Sequence, residues 1–354
     1  MEKVQKTREF LQQQIKKYPK MQLQDLFKFL YQSAFGCEHL VSSVEDAVAS
    51  IQKEATLLSD GDWCEPELLD GDYCRVPLSY LKRGLSAETL GKLFFFSAKT
   101  EEEGKKNLQT KLQIAEAMIM EHLLPFSKEK FISAKNHWEA NGFPPIHHSA
   151  EYREAYHPSY RLMQTKFLPL LPVLTDIDRR LETETVTVAI EGGSASGKTT
   201  CSEFLEQLYD CTVFHMDDFF LQKHQRTPER YREIGGNIDR ERFLAEVLQP
   251  LQHRKPILLR KFDCSSMTLT DCGYVTTKKL CVVEGAYSMH PEFSQYYDVS
   301  LFLDVPANIR KERILKRNGK EMAQQFFSLW MPMENIYFEK TNCKARCDYT
   351  IKTV

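Results

Sequence analysis

VTVAIEGGSASGKTTCSEFLEQLY, residues 186–209, is the stretch on which the fold turns. Its first five residues are apolar or β-branched and read as a buried strand, while CSEFLEQLY reads as a helix. Between them EGGSASGKTT places Gly192, Gly197, Lys198 and Thr199 in the spacing GxxxxGK followed by Ser or Thr. Strand, glycine-rich turn and helix is the context this spacing needs if it is to hold a phosphate. A loop that wraps a polyphosphate must turn its N–H groups inward and let the main chain come close, which Gly192, Gly193 and Gly197 permit. Lys198 supplies a mobile charge for the β and γ phosphates, Thr199 a hydroxyl for Mg²⁺, and the helix start a partial positive charge. The whole run from Gly192 through Ser194, Ala195 and Ser196 to Thr200 is therefore the predicted nucleotide cradle.

Outward from the cradle, short β-branched runs alternate with helical segments: VTVAIEG, CTVFHM, KLCVVEG, VSLFLDV and DYTIKTV. Five such runs predict an α/β unit, a mostly parallel five-stranded sheet flanked by helices. The second run ends in HMDDFF, which puts Asp217 and Asp218 at the sheet edge where doubly wound folds bind ligands. A carboxylate there can orient an acceptor hydroxyl and take its proton. Asp217 is the first choice and Asp218 the second, with a helix cap or an outer-sphere Mg²⁺ contact as the structural alternative. Glu284, closing KLCVVEG, is placed to hold Mg²⁺ or its waters. No NKxD guanine signature and no LSGG transporter signature follows, which favours a kinase over a GTPase or a motor-type ATPase. In LDVPANIRKERILKRNGKE, Arg310, Arg313 and Arg317 stack near one helix face and suggest a lid over the γ phosphate.

The 354 residues suit two domains, and 42% hydrophobic with 27% charged residues describes a globular chain. A net charge of −2 gives no general attraction to nucleic acid or anionic membrane. No stretch is apolar enough to span a bilayer, and MEKVQKTREFLQQQIKK reads as a polar amphipathic helix, so a cytoplasmic location is expected. The ten cysteines are scattered and read as reduced thiols. Residues 1–178 are expected to form a mainly α-helical domain and 179–354 the nucleotide-binding one, with helix from Ser86 to Leu124 interrupted at TEEEGKKN. In the first half Glu38, His39, His147, His148 and His157 are candidate metal ligands against a structural reading. YREAYHPSYR is read as a phosphate or nucleobase surface or as a packed aromatic turn. This half is open to three roles: regulation, part of the acceptor pocket, or subunit contact in a homo-oligomer.

From Thr185 to Val354 these landmarks together resemble the uridine kinase and phosphoribulokinase family of P-loop kinases. The resemblance is carried by IEGGSASGKTT, HMDDFF, GGNIDRERFLAEVLQPL, KFDCSS, VVEGAY and the arginine-rich segment ending in WMPMENIYF. It implies Mg²⁺-dependent transfer of the ATP γ-phosphoryl group to a hydroxyl of a small metabolite, with Asp217 as catalytic carboxylate, Glu284 as the strand-end acid and Arg310, Arg313 and Arg317 as lid cations. It also implies an acceptor pocket drawing on Asp239, Lys261 and Asp263, with Tyr287 and Tyr231 as walls. One departure stands out: uridine kinases carry a His and an Arg shortly after the stretch matching KFDCSS, where this chain has Met267, Thr268 and Leu269. Uridine itself is therefore not implied, and another nucleoside, a sugar phosphate or a vitamin precursor stays open. The rival from a different class is a switch in which ATP binding moves the helical domain against a protein or RNA partner.

Overall fold

The computed structural model describes residues 2–36, 43–58, 65–70, 72–98 and 101–352, so Glu38 and His39 lie outside the described residues. The chain divides into two compact units, Met1–Leu171 and Pro172–Val354.

The first unit contains helices α1 (Glu2–Lys17), α2 (Leu23–Phe35), α3 (Val44–Ala55), α4 (Ala87–Phe96), α5 (Glu101–Met120), α6 (Lys128–Ala140) and α7 (Ala150–Tyr156). They accompany an antiparallel sheet of β1 (Glu67–Leu68), β2 (Tyr73–Pro77) and β3 (Tyr160–Gln164). Serines 43, 86, 127 and 149 cap α3, α4, α6 and α7, each side chain accepting an amide of the first turn. The helical stretch expected from Ser86 to Leu124 does break, after Phe96 and just ahead of most of TEEEGKKN, and α5 then runs from Glu101 straight through Gly104. Glycine is a poor helix former, but here its bare Cα is needed, since a Cβ at Gly104 would lie 2.2 Å from the Phe35 ring. The aromatic turn YREAYHPSYR packs as α7 and β3, with Tyr152 buried and stacked on His148 at 4.1 Å.

A buried polar chain runs through this unit. Asp25 accepts from His148 Nδ1 and from the Ser149 amide, both at 2.9 Å, and His148 Nε2 meets the Tyr160 hydroxyl at 2.8 Å. Gln32 donates to Tyr160 and accepts from Arg75, whose guanidinium lies 4.0 Å from the Phe29 ring centroid. Burial pushes the His148 pKa down to about 4, so the neutral ring donates from Nδ1 to Asp25 and accepts at Nε2.

In the second unit α8 (Leu171–Leu181) is tied to its neighbours by Tyr209 to Asp178 (2.9 Å) and Tyr349 to Asp176 (3.3 Å). The sheet comprises β4 (Val186–Glu191), β5 (Cys211–His215), β8 (Leu280–Glu284), β9 (Val299–Asp304) and β10 (Tyr349–Lys352) in the order β10-β9-β4-β8-β5. Every neighbouring pair is parallel, and the five strands are the five runs that the sequence marks. β8 is buried throughout and β4 and β9 nearly so, as a sheet covered on both faces requires. The chain leaves β4 for β5 on one side and returns past it to β9 on the other, so a crevice opens at the carboxyl ends of β4 and β8. An antiparallel hairpin, β6 (Ile257–Asp263) with β7 (Thr268–Val275), stands outside this sheet. Among the described residues no helix is long and apolar enough to cross a membrane.

The His148 geometry has a pH consequence. Between pH ~6.5 and ~4 the unfolded chain binds a proton that the folded ring refuses, so stability rises with pH across that window by up to about 3 kcal/mol. Hydrogen exchange on α2 peptides, corrected for intrinsic rate, is expected to show protection falling from pH 7 to pH 5, and His148→Asn to flatten that slope.

Candidate active site

β4 delivers the chain into the crevice at Glu191, and the loop that follows bends through positive φ at Gly192 (153°), Ala195 (60°) and Gly197 (96°). Gly193 is required for space instead, because a Cβ there would stand 2.1 Å from Arg310 Nη1. α9 (Lys198–Leu208) then starts, and its first helical bond runs from the Cys201 amide to Gly197 O at 2.9 Å. The amides of Lys198, Thr199 and Thr200 precede that bond and take no acceptor among the described residues, as the first turn of a helix leaves them. Beside them Lys198 Nζ rests on Gly193 O at 3.1 Å. Free amides at a helix start next to an ammonium form an anion cradle.

Two buried carboxylates hold the loop from the protein side. Glu191 is fully buried; its Oε1 accepts the amides of Gly192 (2.8 Å) and Tyr287 (3.2 Å), and its Oε2 those of Met289 (3.0 Å) and the Tyr337 hydroxyl (3.1 Å). Burial pushes its pKa up to about 7 against those donors and the Lys198 charge. Glu334, on helix Met331–Thr341, takes the Ser194 amide at 3.0 Å and the Ser194 hydroxyl, and pairs with Arg310 at 3.3 Å.

At the crevice mouth the acids converge. Thr199 Oγ1 donates to Glu284 Oε1 at 3.2 Å, and His215 Nδ1 lies 2.6 Å from the same oxygen, a bond that raises the His215 pKa. Asp217 sits in the turn Met216–Phe219 just after β5. Its carboxylate is reached by solvent yet recessed: partial burial raises its pKa, Lys198 opposes the shift and Glu284 adds to it. Among the described residues Asp217 takes no side-chain hydrogen bond. No cluster of three or more His, Cys, Asp or Glu suited to a metal occurs among them either. Mg²⁺ at a phosphate site needs only one or two protein oxygens, because waters and phosphate oxygens complete its shell, and the Thr199–Glu284 pair fits that demand.

Other expected site residues are engaged elsewhere. Asp239 is buried, caps helix Arg240–Phe243 through the Arg242 amide and holds the Arg242 side chain, so each of its oxygens already accepts from Arg242. Asp263 accepts from Ser265 and Ser266 in the hairpin turn, which holds its pKa down to about 2. Lys261 pairs with Asp218 at 3.0 Å. Tyr287 is buried against Tyr337 with ring centroids 4.7 Å apart, whereas Tyr231 is exposed. The three lid arginines part company. Arg310 is buried under the loop with Glu334, Arg313 Nη1 reaches Ala195 O at 3.3 Å, and Arg317 Nε turns to Asn318 Oδ1 at 2.8 Å. Gly319, with φ 75° and ψ 174°, breaks the helix just beyond them. Sequence reasoning missed Glu191, His215 and Glu334. All three lie inside quoted runs, EGGSASGKTT, HMDDFF and WMPMENIYF, but Glu334 reaches the loop across 140 residues and its spacing leaves no local signal of that contact.

Glu191→Gln turns one acceptor oxygen into a donor facing donors, so at least one amide or hydroxyl must go unpaired, costing about 1–3 kcal/mol. Urea denaturation of the variant is expected to show a lowered midpoint and weaker ADP binding, while Glu203→Gln on the exposed face of α9 leaves both unchanged.

No family model matches the chain. A uridine kinase of Staphylococcus aureus is 27% identical over 172 residues, which cover 44% of this chain and 83% of that protein. Among solved structures, one described as a possible uridine kinase from Bacillus stearothermophilus shares 22% identity at a TM-score of 0.37, covering 51% of this chain and 99% of that one. A shikimate kinase from Acinetobacter baumannii shares 17% at a TM-score of 0.29, covering 50% of this chain and 87% of that one. Homologues named uridine kinase thus cover roughly the C-terminal half of this chain, the half that holds the cradle and the acidic strand ends.

Proposed function

We propose that the second unit is a small-molecule kinase that moves the γ-phosphoryl group of ATP onto a hydroxyl group. The observation that carries this reading is the arrangement at one sheet edge: the amides of α9 that take no acceptor among the described residues, with Lys198, and beside them the Asp217 carboxylate, which takes no side-chain hydrogen bond among the described residues and whose pKa burial raises while the Lys198 charge opposes the shift. The α9 amides and Lys198 would grip the β and γ phosphates. Asp217 would accept the acceptor's O–H, align its oxygen with phosphorus and take the proton as the new P–O bond forms and the bond to ADP breaks. Its raised pKa makes it a stronger base than an ordinary aspartate. Thr199 and Glu284 would hold Mg²⁺, which when bound neutralises charge on the β and γ phosphates. His215 fixes the Glu284 carboxylate from the other side.

The fixed Arg310 does not suit a moving lid, because its partner Glu334 and the missing side chain of Gly193 hold it beneath the loop. Arg313, already on Ala195 O, and Arg317, next to the break at Gly319, are the cations left for closure over the transferring group. The acceptor is a nucleoside, sugar or vitamin-type alcohol.

Two variants separate the roles. Lys198→Ala is expected to weaken ATP use, whereas Asp217→Asn keeps ATP affinity within about threefold and lowers kcat by roughly 10²–10⁴. Equal loss of ATP binding in both, measured by calorimetry, overturns the assignment. Labelled ATP offered with pooled alcohols should yield a phosphorylated product; slow hydrolysis with no product would instead suit a nucleotide-sensing switch. The acid limb of kcat/KM should lie above the usual aspartate range, since activity needs the Asp217 carboxylate and its pKa is raised.

A further inference from the structure

A cavity of about 530 Å³ opens in the second unit apart from the crevice, and none of Lys198, Thr199, Asp217 or Glu284 lines it. That volume is in the ordinary range for a small-metabolite site. No acid is among the lining residues, and the positive charge there is unmatched. Arg346 is half-buried, yet among the described residues its guanidinium meets only neutral oxygens: Thr341 O at 3.4 Å, Met289 O at 3.1 Å and the Ser294 hydroxyl. Lys340, exposed on the last turn of helix Met331–Thr341, has no hydrogen bond or ion pair among the described residues. Glu292, beside the lining residue Pro291, is already paired with Arg240 at 3.2 Å. Ile234, 42% exposed, and Pro291 add apolar surface. A fixed guanidinium and a free ammonium beside apolar surface suit a ligand with an anionic head and an apolar body.

Both walls of the cavity lead to the cradle. In the loop after β8, Met289 O accepts from Arg346, and the Met289 amide donates to Glu191 Oε2 at 3.0 Å. The opposite wall is the end of helix Met331–Thr341. There Thr341 Oγ1 donates to Tyr337 O at 2.7 Å, and one turn back the Tyr337 hydroxyl donates to the same Glu191 Oε2 at 3.1 Å. Both donors to Oε2 therefore belong to the elements that line the cavity, while Oε1 accepts the amide of Gly192, where the cradle begins. The loop wall also carries strain, since Tyr287 holds φ at 74°, a costly angle for an aromatic residue. A ligand that draws Arg346 or Lys340 toward itself acts on the carboxylate that sets the cradle.

We propose that this cavity is a second ligand site, for a small anion with an apolar body, and that its occupant adjusts nucleotide affinity through Glu191. The inference goes beyond the kinase reading and rests on it only in asking that the cradle bind ADP.

The test uses the full chain with ADP present, so that the phosphate cradle is filled. Acetic anhydride labelling of lysines is read by peptide mass with millimolar phenyl phosphate, benzoate or benzyl alcohol, a matched series with phosphate, carboxylate or no anion. Protection of Lys340 by at least one of the two anions and not by benzyl alcohol is expected, with Lys344, paired to Asp304 outside the cavity, labelled alike throughout. Equal labelling of Lys340 in all three overturns the proposal. Calorimetry should then show the protecting anion shifting ADP affinity about fivefold or more, with ADP shifting the anion's affinity by the same factor. Lys340→Gln should bind ADP as the parent chain does and lose that shift. A shift that persists in the variant means competition at the cradle and overturns the coupling, as does no shift in the parent chain. Weaker ADP binding by Lys340→Gln with no anion present would place the lysine in the nucleotide site and sink the second one. Failure of ADP to bind at all would fall on the kinase reading, while Lys340 protection still decides the cavity.

Discussion

The second unit depends on one buried carboxylate. Glu191 sits at the end of the central strand and gathers three backbone amides and a hydroxyl from the cradle, the loop after β8 and the C-terminal helix. A charge in that position is expensive to bury, and four donors offset the expense only while all four keep their places. Geometry at the cradle and geometry on the far side of β8 are thus fastened to the same pair of oxygens. Glu334 repeats the device one turn of the loop later, with Arg310 as its counter-ion. The loop is held from behind by protein anions, while the first α9 amides take no acceptor among the described residues.

What could be read from the chain was what short-range chemistry fixes. Five β-branched runs became five adjacent parallel strands, and the glycine spacing became a loop with the positive φ angles that such a turn requires. Charged residues were less legible, because a carboxylate's spacing says nothing about which donors will reach it. Asp239 and Asp263 sit in segments that flank the crevice, yet each closes a local turn or cap, as aspartate commonly does. Arg310 shares a helix face with Arg313 in sequence, but a residue 24 positions further on decides where it goes. TEEEGKKN marked the helix break only approximately: Gly104 itself stays helical, and Phe35, distant in sequence, gives that glycine its packing reason.

The first unit carries its own constraint in the chain from Asp25 through His148, Tyr160 and Gln32 to Arg75. Each member satisfies its neighbour, and the histidine can belong to it only as the uncharged tautomer that donates to Asp25. The histidines that looked like candidate metal ligands are thereby divided: His148 has both ring nitrogens engaged by protein, and His157 takes up the left-handed position that ends α7.

Gly193 and Gly197 are both glycine for unlike reasons. At Gly193 the obstacle is matter, an arginine where a methyl would go; at Gly197 nothing lies within 4 Å of where a methyl would sit, and the obstacle is the backbone angle alone. That second restriction is one of chirality rather than volume. A mirror-image amino acid would find the backbone at Gly197 in its natural basin, so the absence of a side chain at the mouth of α9 records the handedness of ribosomal chemistry and not a shortage of room.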